Sequence, residues 1–138
     1  MHVVQAELVI ETPGRGFTDL TDRVGRVVAE SGVEVGLCSV FCRHTSASLV
    51  IQENADPTVR KDLEAAMLAL APEDDRWAHD DEGPDDMPAH LRTVLTKTSE
   101  QIPVRDGSLA LGTWQALYLW EHRRRAHRRT VIVTVVGR

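Results

Sequence analysis

The strand-like segments of the C-terminal third follow one another without helices between them. Apolar-rich segments at residues 101–104, 109–111, 113–122 and 130–136 are separated only by short polar or glycine-containing turns. Parallel strands need long crossover connections, usually helices, whereas antiparallel strands can be joined by tight turns. The sequence therefore predicts an α+β fold with a mainly antiparallel sheet or sandwich.

The first two thirds of the chain add further strands and about three helices. Residues 3–11 alternate between apolar and polar side chains, and residues 33–42 are apolar on both faces, as in a central strand. A helix follows residue 19 and ends at Gly32, and Asp56 with Pro57 begins a second helix. Pro88 is predicted to open a third, short helix. The total is about seven strands in one domain spanning residues 1–138.

Composition excludes several classes of protein. The formal net charge is −5, which argues against general nucleic-acid binding. No apolar run approaches the roughly 20 residues that span a bilayer, and no secretory leader is visible. Cys38 and Cys42 lie on one predicted strand about 13 Å apart, too far for a disulfide. These features predict a cytoplasmic protein.

Charge is unevenly distributed along the chain. Eight acidic residues lie within residues 73–86, in a polar loop spanning 72–87, and five arginines lie within residues 123–129. Loops of this length are usually functional or disordered. The arginine run is interpreted first as a solvated hairpin loop and alternatively as an anion or phosphate contact.

Three polar segments carry candidate site residues. His44, Thr45 and Ser46 break an apolar run, either as a reactive strand end or as a turn whose hydroxyls satisfy backbone groups. Glu53 and Asn54 close the strand that continues from this segment. In the third segment, Gln115 beside Gly112 and Thr113 could bind a substrate, while the nearby tryptophans favour core or subunit contact.

His90 is the strongest single candidate. With Pro88 as the first helical position, His90 lies in the first turn, where the positive helix end disfavours imidazolium. A neutral ring suits a metal ligand or a general base. The alternative is an exposed histidine on a surface helix.

Taken together, these segments resemble the YjbQ family over nearly the whole chain. The matching stretches are His44-Thr45-Ser46-Ala47-Ser48, Glu53-Asn54-Ala55-Asp56-Pro57, Glu82-Gly83-Pro84-Asp85-Asp86-Met87-Pro88-Ala89-His90, Ile102-Pro103-Val104 and Leu109-Ala110-Leu111-Gly112-Thr113-Trp114-Gln115. The resemblance implies a β-sandwich, a homotrimer and a thiamine-phosphate synthase activity, which joins a pyrimidine methyl pyrophosphate to a thiazole phosphate. The alternatives are a metabolite-binding or regulatory protein without turnover, and a metal-dependent phosphate-ester hydrolase.

The resemblance also implies roles for individual residues. His44, His90 and Glu53 are the expected catalytic residues. A small phosphorylated metabolite is expected to contact Thr45, Ser46, Asn54, Asp85, Gly112, Thr113 and Gln115.

A divalent metal ion is expected at His44 and His90, with His79 as a further ligand. Zinc is favoured over magnesium, because imidazole suits zinc and magnesium prefers oxygen. The third ligand could instead be His122, Glu53, Asp85 or a residue of a neighbouring subunit. The two histidines acting without metal, as acid and base, remain an open alternative.

Overall fold

The computed structural model describes residues 1–138, which form eight strands and three helices. The strands are β1 His2–Thr12, β2 Gly16–Asp19, β3 Val35–Cys42, β4 Ala47–Glu53, β5 Ser99–Arg105, β6 Ser108–Leu109, β7 Gln115–Glu121 and β8 His127–Gly137. The helices are α1 Thr21–Ser31, α2 Pro57–Leu70 and α3 Asp86–Leu95. No helix has the length and apolar character needed to cross a membrane.

The strands build two sheets in which every pairing is antiparallel. A five-stranded sheet has the order β1-β8-β3-β5-β6, and a three-stranded sheet has the order β2-β7-β4. Both sheets and α1 contribute to one core of 18 buried residues. Along β8, alternate side chains from Val131 to Val135 enter this core, as the period of two requires. The predicted α+β class with mainly antiparallel strands is confirmed.

Helix ends follow the local sequence closely. Gly32 ends α1 with a φ of 74°, a left-handed conformation that glycine adopts without steric cost. Asp56 caps α2 by accepting a hydrogen bond from the Thr58 N–H at 2.9 Å, and Pro57 follows it. The prediction for α3 was wrong, because this helix begins at Asp86 and not at Pro88. Proline is tolerated in a first helical turn, where its missing N–H would have no helical partner.

Two further expectations are corrected. Residues 16–19, for which the sequence predicted no strand before the first helix, form β2, which pairs with the end of β7 and stacks Phe17 on Trp120. Trp114 lies outside β7 in the preceding turn, and 63% of its surface is exposed, whereas Trp120 is buried. The absence of a disulfide is confirmed, since Cys38 and Cys42 are both free and buried.

Candidate functional site

The acidic loop and the arginine run, far apart in sequence, meet in the structure. Arg123, just after β7, donates from Nε to Asp85 at 3.0 Å and from Nη1 to Asp86 at 2.7 Å. Its Nη2 donates to the carbonyl oxygen of Glu82 at 2.8 Å. Arg124 forms an ion pair with Glu73. The arginine run therefore fixes the acidic loop and the start of α3, instead of forming only a solvated hairpin.

Two histidines and one aspartate converge at this junction. His79 comes from the loop, and Asp86 and His90 come from the first and second turns of α3. Asp86 Oδ2 lies 2.5 Å from His79 Nε2 and 3.3 Å from His90 Nε2. Each of the three residues offers one ligand atom, and these three atoms all lie within 4.8 Å of one another. The three side chains can therefore share one cation, with small adjustments of the side chains.

Neighbouring groups orient these donors. The carbonyl oxygen of Thr45 lies 2.8 Å from His90 Nδ1, so this nitrogen donates to it, and Nε2 is the ring nitrogen that faces Asp86. The other oxygen of Asp86 is held by Arg123. Metal-binding histidines and carboxylates commonly have such secondary partners, which fix the ring and the carboxylate plane. The cluster is thus arranged as a ligand set.

Electrostatics keep the carboxylate ionised. Burial alone would raise the pKa of Asp86, but the hydrogen bond from His79 and the charge of Arg123 lower it below its usual value. The hydrogen bond to Asp86 in turn raises the pKa of His79. Without a cation, the pair is therefore a charged hydrogen bond, and a cation would replace the His79 proton.

His44 occupies a different environment from His90. The backbone N–H of Thr130 donates to His44 Nε2 at 2.8 Å, and Nη1 of Arg129 lies 3.5 Å from its Nδ1. Burial and then the charge of Arg129 lower the pKa of His44. Its ring lines a cavity of about 410 Å³ whose other walls are Phe41, Cys42, Arg43, Thr45 and Thr98. The structure groups His90 with His79 and Asp86 and not with His44, whose Nε2 already accepts a backbone hydrogen bond.

The predicted substrate residues are divided between the two ends of β4. Glu53 pairs with Gln115 at one end, and Ala47 pairs with Glu121 at the other, six residues or about 20 Å away. Glu53 accepts hydrogen bonds from the N–H groups of Ala55 and Asp56. The predicted residues at the Glu53 end serve local structure, and they lie far from the histidines.

The contacts at that end are specific. Gln115 Oε1 accepts from the N–H of Gly112 at 2.8 Å, and Asn54 Nδ2 donates to the carbonyl of Thr113 at 3.3 Å. Together they hold the turn before β7 against the end of β4. The expectation that these residues share a pocket with the histidines is therefore corrected by the strand register.

Thr45, Ser46 and Asp85 do lie near the histidine end. Thr45 contributes its carbonyl to His90, while Ser46 is buried and receives hydrogen bonds from Arg129 on both its carbonyl and hydroxyl oxygens. Asp85 accepts from Arg123 and from the N–H of Arg124. They position the site's neighbours and do not themselves join the ligand cluster.

Sequence reasoning missed Asp86 and Arg123. Asp86 and His90 occupy positions i and i+4 in the sequence, which places them on one face of a helix. The predicted helix start at Pro88 places Asp86 in the loop and so hides this signal. Nothing local in the arginine run distinguishes Arg123 from its neighbours, since only the tertiary fold brings it to the loop.

Known proteins similar to this chain share its length and fold. A UPF0047 protein of Synechocystis is 57% identical over 134 residues, which covers 96% of this chain and 91% of that protein. The UPF0047 protein YjbQ of Escherichia coli O157:H7 is 40% identical, with coverage of 96% and 97%. A crystal structure of a YjbQ/UPF0047 protein from Clostridium acetobutylicum has a TM-score of 0.88 at 35% identity and covers 95% of this chain and 99% of its own.

These relatives correct the expected activity. They are named only as UPF0047 proteins, and a Sulfolobus solfataricus structure with a TM-score of 0.88 and 26% identity, covering 99% of this chain and all of its own, is described as a protein of unknown function. Nothing in these relatives shows thiamine-phosphate synthase activity. The prediction of thiamine-phosphate synthase activity, which rested on resemblance alone, was therefore wrong. Membership of the family assigns no reaction to this chain.

The family itself is shown by agreement at three levels. The motifs at His44, Asp85 and Gly112 occur in one chain, and the fold matches solved structures of YjbQ-like proteins. A family model described as UPF0047 protein YjbQ-like matches residues 6–138. The chain belongs to the YjbQ family of UPF0047 proteins.

Proposed function

We propose that this protein binds a divalent cation of the zinc class through His79, Asp86 and His90 and presents it to a small anionic metabolite. The observation that carries the proposal is the convergence of two imidazoles and one ionised carboxylate within 4.8 Å. No other group of three histidine, cysteine or acidic side chains in the chain has this geometry.

The donor set fits zinc better than magnesium. Magnesium prefers six oxygen ligands, whereas two imidazoles and one carboxylate are a familiar set for catalytic zinc. Ligands of a tetrahedral zinc ion lie about 3.3 Å apart, given bond lengths near 2.0 Å. The separation of Asp86 Oδ2 from His90 Nε2 is already 3.3 Å. The contact between His79 and Asp86 would lengthen as the cation replaced the proton.

The anionic ligand follows from the coordination number. Three protein ligands leave at least one position of a tetrahedral ion open. Among the three ligands a single carboxylate leaves a divalent cation with net positive charge, so the open position favours an anionic oxygen such as that of a phosphate or carboxylate group. Glu82, whose Oε2 lies 3.3 Å from His79 Nε2, is the chain's own competitor for this position. The charge of Arg123 is directed toward Asp85 and Asp86. A small phosphorylated metabolite satisfies this chemistry.

Elemental analysis of untagged protein tests the proposal. We expect about one equivalent of zinc per chain after zinc addition and dialysis, and a large loss in His79→Ala and His90→Ala variants. His2→Ala is the matched control, because His2 is exposed and lies on β1. Equal zinc content in all four proteins, or none in any, would contradict the proposal. In the second case the cluster would be a metal-free hydrogen-bonded network.

Two further expectations belong to this proposal. A homotrimer is supported by large apolar side chains exposed on the single chain, among them Leu70, Val94 and Trp114 at 63%, 79% and 63%. Light scattering at micromolar concentration should give the mass of three chains, and the mass of one chain would refute the trimer.

A cytoplasmic location is supported by the two free cysteines.

A further inference from the structure

Glu82 lies beside the cluster of His79, Asp86 and His90 without being part of it. Its Oε2 is 3.3 Å from His79 Nε2, the same nitrogen that contacts Asp86. Neither an arginine nor a lysine pairs with its carboxylate, and 64% of its side chain is exposed, against 4% for Asp86. The side chain of Glu82 is therefore near a ligand position and free to move.

The backbone of Glu82, in contrast, is held in place. Arg123 Nη2 donates to the Glu82 carbonyl oxygen at 2.8 Å, and Nη1 of the same guanidinium holds Asp86. Gly83 follows with a φ of 104°, a conformation that favours glycine. Arg123 thus links the base of the Glu82 side chain to a residue of the cluster, which keeps the Glu82 carboxylate within reach of the cluster.

Without a cation, two carboxylates compete for one imidazole nitrogen. His79 Nε2 can donate at most one proton, yet Asp86 Oδ2 and Glu82 Oε2 approach it at 2.5 Å and 3.3 Å. The shorter contact takes the proton, so Glu82 gains little from this position. A tetrahedral cation removes the competition, because it has four positions and the cluster fills only three.

We propose that Glu82 is the exchangeable fourth ligand of the metal centre. This inference rests on the proposed function, since it requires a zinc-class cation at His79, Asp86 and His90. Glu82 coordinates the cation while no metabolite is bound, and an anionic group of the metabolite displaces it. Carboxylate oxygen is a common zinc ligand. Asp86 stays bound during the exchange because it is buried and held by Arg123.

The exchange also makes the centre selective for anions. With Asp86 and Glu82 both bound, two carboxylates neutralise the charge of a divalent cation. When Glu82 leaves, the centre gains one positive charge, which a phosphate or carboxylate oxygen compensates and a neutral ligand does not. A neutral molecule of the same shape therefore displaces Glu82 less readily than an anion does.

Calorimetric titration of two matched variants tests the proposal. Glu82→Gln removes the exchangeable carboxylate. Asp81→Asn is the control, because Asp81 is 85% exposed and its Oδ1 lies 3.9 Å from the other ring nitrogen of His79, Nδ1. Each variant loses one exposed negative charge from the same loop, so a general electrostatic effect changes both alike.

Two affinities should change in opposite directions. If coordination by Glu82 is favoured about tenfold over the open form, Glu82→Gln binds zinc about tenfold more weakly than wild type. Inorganic phosphate, titrated into protein with zinc kept below the protein concentration, then binds Glu82→Gln about tenfold more tightly, because it no longer displaces a carboxylate. Both affinities of Asp81→Asn should stay within about threefold of wild type, as expected for an exposed charge.

The outcomes separate this inference from the proposed function. Opposite changes of similar size in Glu82→Gln, absent from Asp81→Asn, support the exchange. Zinc binding with equal zinc and phosphate affinities in the two variants would overturn the exchange and leave the metal centre standing. Weaker phosphate binding to Glu82→Gln than to wild type would also overturn it. Failure of wild-type protein to bind zinc would overturn the proposed function, and the exchange with it.

Discussion

His44 precedes Thr45 in the chain and His90 contacts the Thr45 carbonyl, but the two histidines differ in what their ring nitrogens contact. His90 donates from Nδ1 to the Thr45 carbonyl and directs Nε2 toward Asp86. His44 accepts at Nε2 from the Thr130 backbone and faces Arg129 with Nδ1. One ring thus has a nitrogen available beside a carboxylate, and the other is bound into the strand framework.

The difference shows that residue type alone does not identify a ligand. His44 begins a recognisable motif of the sequence, yet its lone pair accepts a hydrogen bond from the backbone N–H of Thr130. His90 is held by a carbonyl, which is the arrangement that leaves the opposite nitrogen free for a metal. The contrast predicts which substitutions weaken the binding of a cation and which affect only the stability of the fold.

Asp86→Asn should produce the largest effect. The change keeps the shape of the side chain but removes the ionised ligand, so we expect zinc affinity to fall by about 100-fold or more, beyond the loss typical of secondary contacts. Isothermal titration calorimetry with zinc measures it. His44→Ala is the comparison, and it should change the affinity by less than about threefold. A larger loss of affinity in His44→Ala than in Asp86→Asn would reverse the assignment of the two histidine regions.

Arg123→Gln should have an intermediate effect. The substitution releases Asp86 from its orienting partner, and zinc affinity should fall by about 10–100-fold. Asp85 also loses its guanidinium partner, so the melting temperature should fall. Arg125→Gln is the matched control, because Arg125 is an exposed arginine two residues away whose side chain makes no ion pair. Equal zinc affinity in the two variants would show that Arg123 has no orienting role.

A third histidine, His122, extends the comparison to the pH dependence of stability. Burial lowers the pKa of His122 from 6.5 to about 2, so below pH 6.5 the unfolded chain takes up a proton that the folded chain does not. The contribution of the neutral ring to the free energy of unfolding is therefore fully present above pH 6.5. It is lost as the pH falls toward 2, by at most about 1.4 kcal/mol per pH unit. Urea unfolding at pH 7.5, 6.5 and 5.5 measures this slope.

The matched variant for this measurement is His122→Gln, which does not titrate and keeps a polar group near Ser48. Its free energy of unfolding should fall less steeply than that of the wild-type protein between pH 6.5 and 5.5. The difference between the two slopes isolates His122, because all other titrating groups are common to both proteins. Parallel curves would show that His122 is not held neutral.

Much of the fold is predictable from short-range patterns. The alternation in β1, the glycine that ends α1 and the Asp56–Pro57 start of α2 are local signals, and the structure agrees with each. The antiparallel class follows from consecutive strands joined by turns. The predicted start of α3 was wrong because a proline is compatible with several positions in the first turn of a helix. Its presence therefore does not fix the first residue of the helix.

The candidate site is less predictable because its assembly is tertiary. His79 and His90 are visible as candidates in the sequence, and the structure brings them together with Asp86. The pairing of Arg123 with the loop depends on contacts nearly 40 residues apart. The register of β4 with β7 separates Glu53 and Gln115 from the histidine end, and no local pattern encodes that register.

Anomalous diffraction at the zinc absorption edge, from crystals grown with zinc, tests the central claim most directly. The predicted result is one strong peak per chain, about 2.0–2.1 Å from Nε2 of His79 and of His90 and about 2.0–2.2 Å from Asp86 Oδ2. A peak bound to His44 instead, or no peak at these three side chains in crystals grown with zinc, would contradict it.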